Sequence, residues 1–243
     1  MTPARAVALG VFDGVHVGHR RVLEALLASG LPAAVVTYDP HPVAGTPLLS
    51  TVERRLELLI DAGIGDVQVV VPGGEPELGG ALLVGGPGSG AQLTVPLVEG
   101  VSSQRVRDLA RAAELGAAAS MLARPFEVEG VVVHGEHRGR ELGFPTANLD
   151  GVETRLLPPR GIYAGAVRDH RAAISIGVNP QFGGETLHVE AHLLDFDGDL
   201  YGQRLVVELW ERLRDELVFE SVAALVEAIG LDVERTRLAA RPA

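Results

Sequence analysis

Residues 6–12 form an apolar run that stops at Asp13-Gly14, the pattern of a buried strand entering a turn. Val22, Leu23, Leu26 and Leu27 then recur at helical spacing over 18–29, and Gly30 ends that helix. A second apolar strand is predicted over 33–38, closed by Asp39-Pro40-His41-Pro42. Ser50-Thr51-Val52-Glu53 has capping-box spacing, and Leu56, Leu59 and Ile60 continue the face of the helix it starts. A third strand follows at 67–71. Strand, helix, strand, helix, strand predicts a parallel α/β unit of Rossmann-like type. Residues 72–100 carry short apolar pieces between glycine clusters, and 102–122 read as one helix capped by Ser102.

The period changes after Pro125. Runs at 128–133, 161–167, 172–177, 187–194 and 205–213 are rich in β-formers and are separated by Gly, Asp and Asn turns. Only 219–238 returns to helical spacing. This half predicts a small antiparallel β-barrel with a C-terminal helix. The expected division is therefore 1–124 for the α/β domain and 125–243 for the β domain. A length of 243 fits two domains.

Composition sharpens this picture by what is missing. The chain has no cysteine, and all 21 of its Lys+Arg residues are arginine. Thiolate nucleophiles, disulfides and Cys-ligated zinc are excluded. So are Schiff-base chemistry and a lysine-bearing P-loop. Phosphate chemistry here must use arginine, histidine, backbone amides and a metal ion. The net charge of −11 argues against nucleic-acid or anionic-membrane partners. The longest uncharged stretch, 78–98, is too rich in Gly and Pro for a membrane span. No secretion signal is visible, so a cytoplasmic location and small-molecule partners are expected.

Gly-Val-Phe-Asp-Gly-Val-His-Val-Gly-His spans 10–19. It takes a strand through a glycine turn into a helix start, whose amides and dipole favour an anion. His16 and His19 are three apart and share one side of the first turn. Paired histidines at this spacing commonly just cap a helix. The surrounding glycines, which permit a turn and a close backbone approach, favour charge stabilisation on a phosphoryl group. The segment resembles the GxFDGxHxGH signature of nucleotidyltransferases that attack the α-phosphate of a nucleoside triphosphate. Val101-Ser102-Ser103-Gln104-Arg105-Val106-Arg107 is similar to that family's second signature, with Gln104 in place of threonine. Asp39-Pro40-His41-Pro42 matches its segment after the second strand. The resemblance implies that Phe12, Asp13, Gly14, Ser102, Ser103 and Arg107 contact ATP, with His16 and His19 catalytic.

A second glycine-rich segment runs from His134 to Asn148. Gly135, Gly139 and Gly143 leave a loop able to bring amides onto phosphate oxygens, and Arg138 and Arg140 make it basic. Thr146 and Asn148 offer two neutral oxygens on one side of an extended strand, suited to Mg²⁺. Spacing alone equally allows a surface hairpin whose Thr and Asn make turn hydrogen bonds. Further on, alternation over 187–194 puts His188, Glu190 and His192 on one polar face. That face can supply a general base, a His-x-Glu-x-His metal site, or only a solvated surface.

Gly-Phe-Pro-Thr-Ala-Asn at 143–148 closely resembles the signature of riboflavin kinases. The likeness continues in order through 161–164, 175–180, 189–195, 199–202 and 214–219. The whole chain is similar to bacterial bifunctional riboflavin kinase/FAD synthetases. The resemblance implies that Thr146 and Asn148 bind the metal of Mg-ATP, that 135–143 embraces the phosphates, that Glu190 is the general base, and that Arg214 and Phe219 hold flavin. It implies conversion of riboflavin to FMN, with adenylylation of FMN to FAD by the first half. Arg140 stands where some members carry lysine.

The likeness thins after the third strand. The family's Asn-Phe-x-Phe-Gly segment is absent, and residues 63–100 contain no aromatic side chain. Gln181 replaces a common threonine, and Leu217-Val218 replace a basic residue. Two other readings share these residues: a flavin- or nucleotide-binding protein with a degenerate adenylyltransferase half, and a kinase acting on a flavin analogue.

Overall fold

The computed structural model describes residues 4–135, 138–152, 154–178 and 187–242. The sequence readings at Gln181, at Asn179-Pro180 and at Glu136-His137 lie outside these residues. The chain divides into two compact units, Met1–Val106 and Arg107–Ala243.

The first unit is the expected α/β unit. Strands β1 (Ala6–Leu9), β2 (Ala33–Tyr38), β3 (Asp66–Val70), β4 (Leu82–Gly85) and β5 (Leu93–Thr94) form one sheet in the order β3-β2-β1-β4-β5. Every pairing is parallel, with Val7 opposite Ala34 and Val35 opposite Val67. Helices α1 (Val17–Ala28) and α2 (Val52–Asp61) follow β1 and β2. Alternation along each strand sends side chains to two cores. Ala6, Ala8 and Val35 pack with Leu23, Leu26, Leu58 and Leu59 of the helices. Val7, Ala34, Val36 and Val70 form the core on the other face with Ala81.

The α2 start differs from the expected capping box. Thr51, not Ser50, is the N-cap, its hydroxyl accepting from Arg54 N–H at 3.0 Å. Ser50 is taken by the turn of the first motif: it donates to Asp13 Oδ1 at 3.2 Å and accepts from Gly14 N–H at 3.1 Å. Residues 102–122 also differ, forming α3 (Ser103–Arg111) and α4 (Leu115–Leu122) instead of one helix. Ala113 sits between them at φ 57°, and Glu114 N–H bonds Leu109 O at 2.9 Å. Ala and Glu are good helix formers, so no local propensity marks this break. In the second unit α4 packs on the strands of the barrel.

That barrel is closed and antiparallel, in the order β10-β7-β6-β11-β8-β9. Its strands are β6 (Phe126–Val133), β7 (Ala147–Asp150), β8 (Gly161–Val167), β9 (His170–Val178), β10 (Leu187–Leu193) and β11 (Arg204–Arg214). Phe126, Val128, Tyr163, Ile174, Val189 and Leu205 are among its buried residues. Only β7 escaped the sequence pattern: four residues behind Pro145 give too short an alternation. A four-residue helix, α5 (Arg138–Glu141), precedes it. The last helix, α6 (Val222–Leu238), is capped by Ser221 and packs against β8 and β9. Arg171 closes its C-terminal end, donating to Thr236 O and Ala239 O at 2.9 and 2.7 Å.

Candidate active sites

On β10 the burial alternates as expected. Val189, Ala191 and Leu193 turn into the barrel, while His188, Glu190 and His192 stay partly exposed. β7 lies beside β10 with Asn148 opposite Glu190. Thr146, just before β7, donates its hydroxyl proton to Glu190 Oε2 at 3.1 Å. His192 Nδ1 is 2.8 Å from Pro145 O. A carbonyl only accepts, so Nδ1 carries the proton in this contact. His192 thereby ties the turn before β7 to the strand bearing Glu190. Among the described residues no three His, Cys, Asp or Glu side chains are arranged to hold a metal, so the His-x-Glu-x-His array is not a ligand set.

Two cavities meet at Thr146, which lines both. The first, of about 220 Å³, is bordered by Gly135, Arg140, Thr146, Asn148 and the 196–201 turn. Tyr201 also borders it, and its ring is tilted 31° to that of His134 with 4.0 Å between centroids. The second, of about 310 Å³, has a mainly apolar wall containing Phe144, Ile162, Ile174, Leu217, Phe219 and Ile229. Glu190, His192 and Arg214 border it as well.

The glycine segment is more built than a floppy loop. The amides of Leu142, Gly143 and Phe144 bond back to Gly139 O, Arg140 O and Gly139 O at 3.2, 3.2 and 2.7 Å. Those three amides are consumed by the turn, because α5 gives them carbonyl partners. A Cβ at Gly139 would stand 2.4 Å from Phe144 O, and one at Gly135 would stand 2.4 Å from the Asn148 amide. Both glycines thus serve close packing, the second of them allowing Asn148 its place. Arg138 opens α5, and Gly143 lies in the turn behind it.

Arg214, at the end of β11, and Phe219, five residues on, border the apolar cavity together. The guanidinium is 5.7 Å from the Phe219 ring centroid. It also grips Asp232 of α6, with Nε 3.0 Å from both carboxylate oxygens and Nη2 2.6 Å from Oδ2.

In the first unit a cavity of about 370 Å³ surrounds the start of α1. Phe12, Gly18, His16, His19, Ser102 and Ser103 are among its walls. His16 caps α1: its Nδ1 accepts from His19 N–H at 3.2 Å, so its proton sits on Nε2. The His16 and His19 rings stack, 3.6 Å apart and 12° from parallel. Burial, then His16, then Arg55 hold the His19 pKa well below the ordinary imidazole value. Phe12 and Val15 have φ of 52° and 39°, rare for bulky side chains and a sign of a turn held under strain.

Asp13 and Gly14 are not on this cavity. Asp13 is buried, and its carboxylate accepts from the Leu49 and Ser50 amides at 3.0 Å. Its role is to join the turn to the start of α2. Ser103 donates to Asp13 O at 3.1 Å, and Ser102 accepts from Arg105 N–H at 3.0 Å. Arg107 is buried and begins the second compact unit.

A riboflavin kinase family model matches residues 122–240, and an FAD synthetase model matches 2–72. The bifunctional riboflavin kinase/FMN adenylyltransferase of Pseudomonas fluorescens is 32% identical, with 96% of this chain and 92% of that protein covered. The chain belongs to this bifunctional family. The Listeria monocytogenes member is 29% identical over 96% of this chain and 91% of its own. A crystal structure described as a macrolide-efflux protein from Streptococcus pneumoniae superposes with a TM-score of 0.83 at 27% identity, covering 98% of this chain and 95% of that one. Among the described residues no helix is long and apolar enough to cross a membrane.

The alignment to the P. fluorescens family member runs over 289 positions against a chain of 243, so at least 46 of them face gaps in this chain. The FAD synthetase match ends at 72, where the glycine-rich stretch begins. Sequence reasoning missed several residues that the structure brings to the family's kinase half. Phe144 and Asp232 border the apolar cavity, and Tyr201 and Phe196 border the smaller one. Asp232 carried no signal, since an acid on a C-terminal helix reads as solvated surface. His192 was visible on the polar face, but its bond to Pro145 depends on the register of β7.

Proposed function

We propose that the second unit transfers the γ-phosphoryl group of ATP to the ribityl 5′-hydroxyl of riboflavin, giving FMN and ADP. The observation that carries this is Thr146: it borders both a small polar cavity and an apolar one, and its hydroxyl donates to Glu190 on the wall of the apolar one. The apolar cavity suits an isoalloxazine ring, which needs flat apolar walls, here Phe144 and Phe219 with aliphatic neighbours. The smaller cavity, with Arg140 at its edge, suits phosphates. Glu190 takes the proton of the 5′-hydroxyl as that oxygen bonds to phosphorus and the bridge to ADP breaks. The rest of the catalysis is positioning and charge stabilisation.

The donors at the junction fit Mg²⁺. Thr146 and Asn148 supply hard neutral oxygens, and Gly135 leaves the space that Asn148 occupies. Two protein ligands are ordinary for Mg²⁺ that also binds substrate phosphates. When bound, the ion neutralises charge on the phosphate oxygens. Arg140 adds a guanidinium in a chain without lysine. We place the enzyme in the cytoplasm, with the functional division near residue 124.

The test is incubation with riboflavin, ATP and Mg²⁺, followed by product separation. FMN formation is expected. Folded protein that makes no FMN would overturn the reading, and so would faster turnover of a flavin lacking the ribityl hydroxyl pattern.

A further inference from the structure

The turn after β1 is held by two side chains, Thr37 and Arg55, that do not border the cavity at the start of α1. Gly10 N–H bonds Val36 O at 3.1 Å. One residue further the Val11 carbonyl is held by a side chain: the Thr37 hydroxyl donates to it at 2.7 Å. That carbonyl and the Phe12 N–H belong to one planar peptide. Fixing the plane restrains rotation about the Phe12 N–Cα bond, where φ is 52°. A bulky side chain keeps such a φ only where its surroundings impose it.

Arg55 decides which way the Thr37 hydroxyl points. Its Nη1 donates to Thr37 Oγ1 at 3.1 Å and to Tyr38 O at 2.7 Å. A guanidinium has donors only, so it occupies a lone pair of the hydroxyl and cannot accept its proton. The proton is left for Val11 O. Both side chains are fully buried, where water cannot replace either bond. The same buried cation lowers the pKa of His19, after burial itself and His16. On the other side of Phe12, the Asp13 carboxylate accepts from the Leu49 and Ser50 amides at 3.0 Å, just ahead of α2. The start of α2 and its Arg55 thus hold both flanks of Phe12, whose ring borders the cavity and lies 5.1 Å from that of His19.

We infer that Thr37 and Arg55 are positioning residues for nucleotidyl transfer in the first unit. The guanidinium orients the Thr37 hydroxyl, the hydroxyl fixes the Val11–Phe12 peptide, and that peptide keeps Phe12 and the His16/His19 pair in place on the cavity. Small displacements of groups that hold reacting phosphates cost rate, so a residue two bonds removed from the cavity still governs turnover. The inference rests on the adenylylation of FMN that the family resemblance implies for this half. In that reaction an FMN phosphate oxygen bonds to the α-phosphorus of ATP and pyrophosphate leaves.

The experiment follows FAD formation from FMN, ATP and Mg²⁺ by the full chain, at a temperature well below the unfolding transition of each variant. Thr37→Val keeps the shape, leaves Arg55 its bond to Tyr38 O and removes the hydroxyl. Its kcat for FAD is expected to fall roughly tenfold, the weight of one buried hydrogen bond, while the rate of FMN formation from riboflavin stays unchanged. Thr37→Ser keeps the hydroxyl and is expected to retain most of the FAD rate. A merely structural role would lower the melting temperature and leave kcat in place. If Thr37→Val does not fold, Arg55→Gln and Arg55→Lys decide: the glutamine oxygen can take the hydroxyl proton, so a severalfold drop is expected, whereas lysine only donates and is expected to keep most of the rate. Full FAD turnover by folded Thr37→Val, an equal loss in Thr37→Ser, or equal rates in the two Arg55 variants would overturn the inference. Wild-type chain that makes FMN but no FAD would overturn the adenylylation reading and the inference with it, an outcome distinct from wild-type FAD formation that the variants leave untouched.

Discussion

The Thr146 hydroxyl donates to Glu190 Oε2 at 3.1 Å, linking the residue that borders both cavities to the acid on β10. This bond leaves the other carboxylate oxygen to take a substrate proton. Glu190→Gln keeps the shape and removes the base. Its kcat for FMN formation is expected to fall by about 10²–10⁴, the usual worth of a general base, with the KM for riboflavin little altered. Thr146→Val frees the carboxylate from its partner and removes an oxygen donor to the metal. It is expected to lower kcat and also to raise the Mg²⁺ concentration needed for half-maximal rate. Steady-state assays at varied Mg²⁺ separate the two effects.

Arg140 borders the smaller cavity in a chain with no lysine to substitute for it. Arg140→Ala removes a charge-assisted contact worth about 1.5–3 kcal/mol, so the KM for ATP is expected to rise by roughly tenfold or more. The KM for riboflavin is expected to stay put. Arg140→Lys restores charge but not the planar fork and should recover part of the loss. Initial rates at varied ATP and fixed riboflavin decide it.

His192 acts at one remove from the chemistry. Its Nδ1 proton on Pro145 O fixes the turn that carries Thr146. His192→Leu is expected to lower kcat severalfold while leaving the pH profile of the Glu190 base in place. His192→Asn, whose amide donates from a similar position, is expected to recover most of the rate. A loss of rate shared by both variants would point to the imidazole itself.

Periodicity showed both architectures, because the α/β pattern changes to strand alternation at Pro125 and each core is built from side chains at those periods. The polar face of β10 was legible for the same reason: Val189, Ala191 and Leu193 alternate with His188, Glu190 and His192. What escaped depended on tertiary partners. Ala113 takes a left-handed conformation between two good helix-forming stretches, and no residue there announces it. Ser50 looked like a helix cap and is instead held by Asp13, 37 positions away. The family resemblance implies an ATP contact at Asp13; in the fold its carboxylate accepts from two backbone amides, a bond set that no local pattern announces. The glycines of 135–143 suggested mobility, whereas Gly135 and Gly139 allow close packing against Asn148 and Phe144. Motif membership marks the segments, but only the fold tells which of their members border a cavity.

The pairing of Arg214 with Asp232 joins β11 to α6 beside the apolar cavity. Asp232 is 3% exposed, so removing its partner strands a buried charge. Arg214→Met is expected to destabilise the second unit by about 3–5 kcal/mol, measured by urea unfolding. Adding Asp232→Leu to it is expected to regain much of that stability, because the stranded carboxylate is gone. The double variant should still show a raised KM for riboflavin, since the guanidinium also borders the cavity with Phe219.

The buried His19 predicts how stability depends on pH. In the unfolded chain this imidazole takes up a proton near its ordinary pKa of about 6.5. In the folded unit burial, His16 and Arg55 hold it neutral to well below that value. Below pH of about 6.5 the unfolded state therefore binds more protons than the folded one, and stability falls as pH falls. Above that point both states are neutral and His19 contributes no slope. His19→Asn has no proton to gain on unfolding. Its melting temperature is expected to be lower than wild type at pH 7.5, because the ring packing is lost, yet to decline less between pH 7 and about pH 5.5. Thermal unfolding of both proteins across that range tests the difference in slope. Parallel curves would show that His19 is not held neutral in the folded unit.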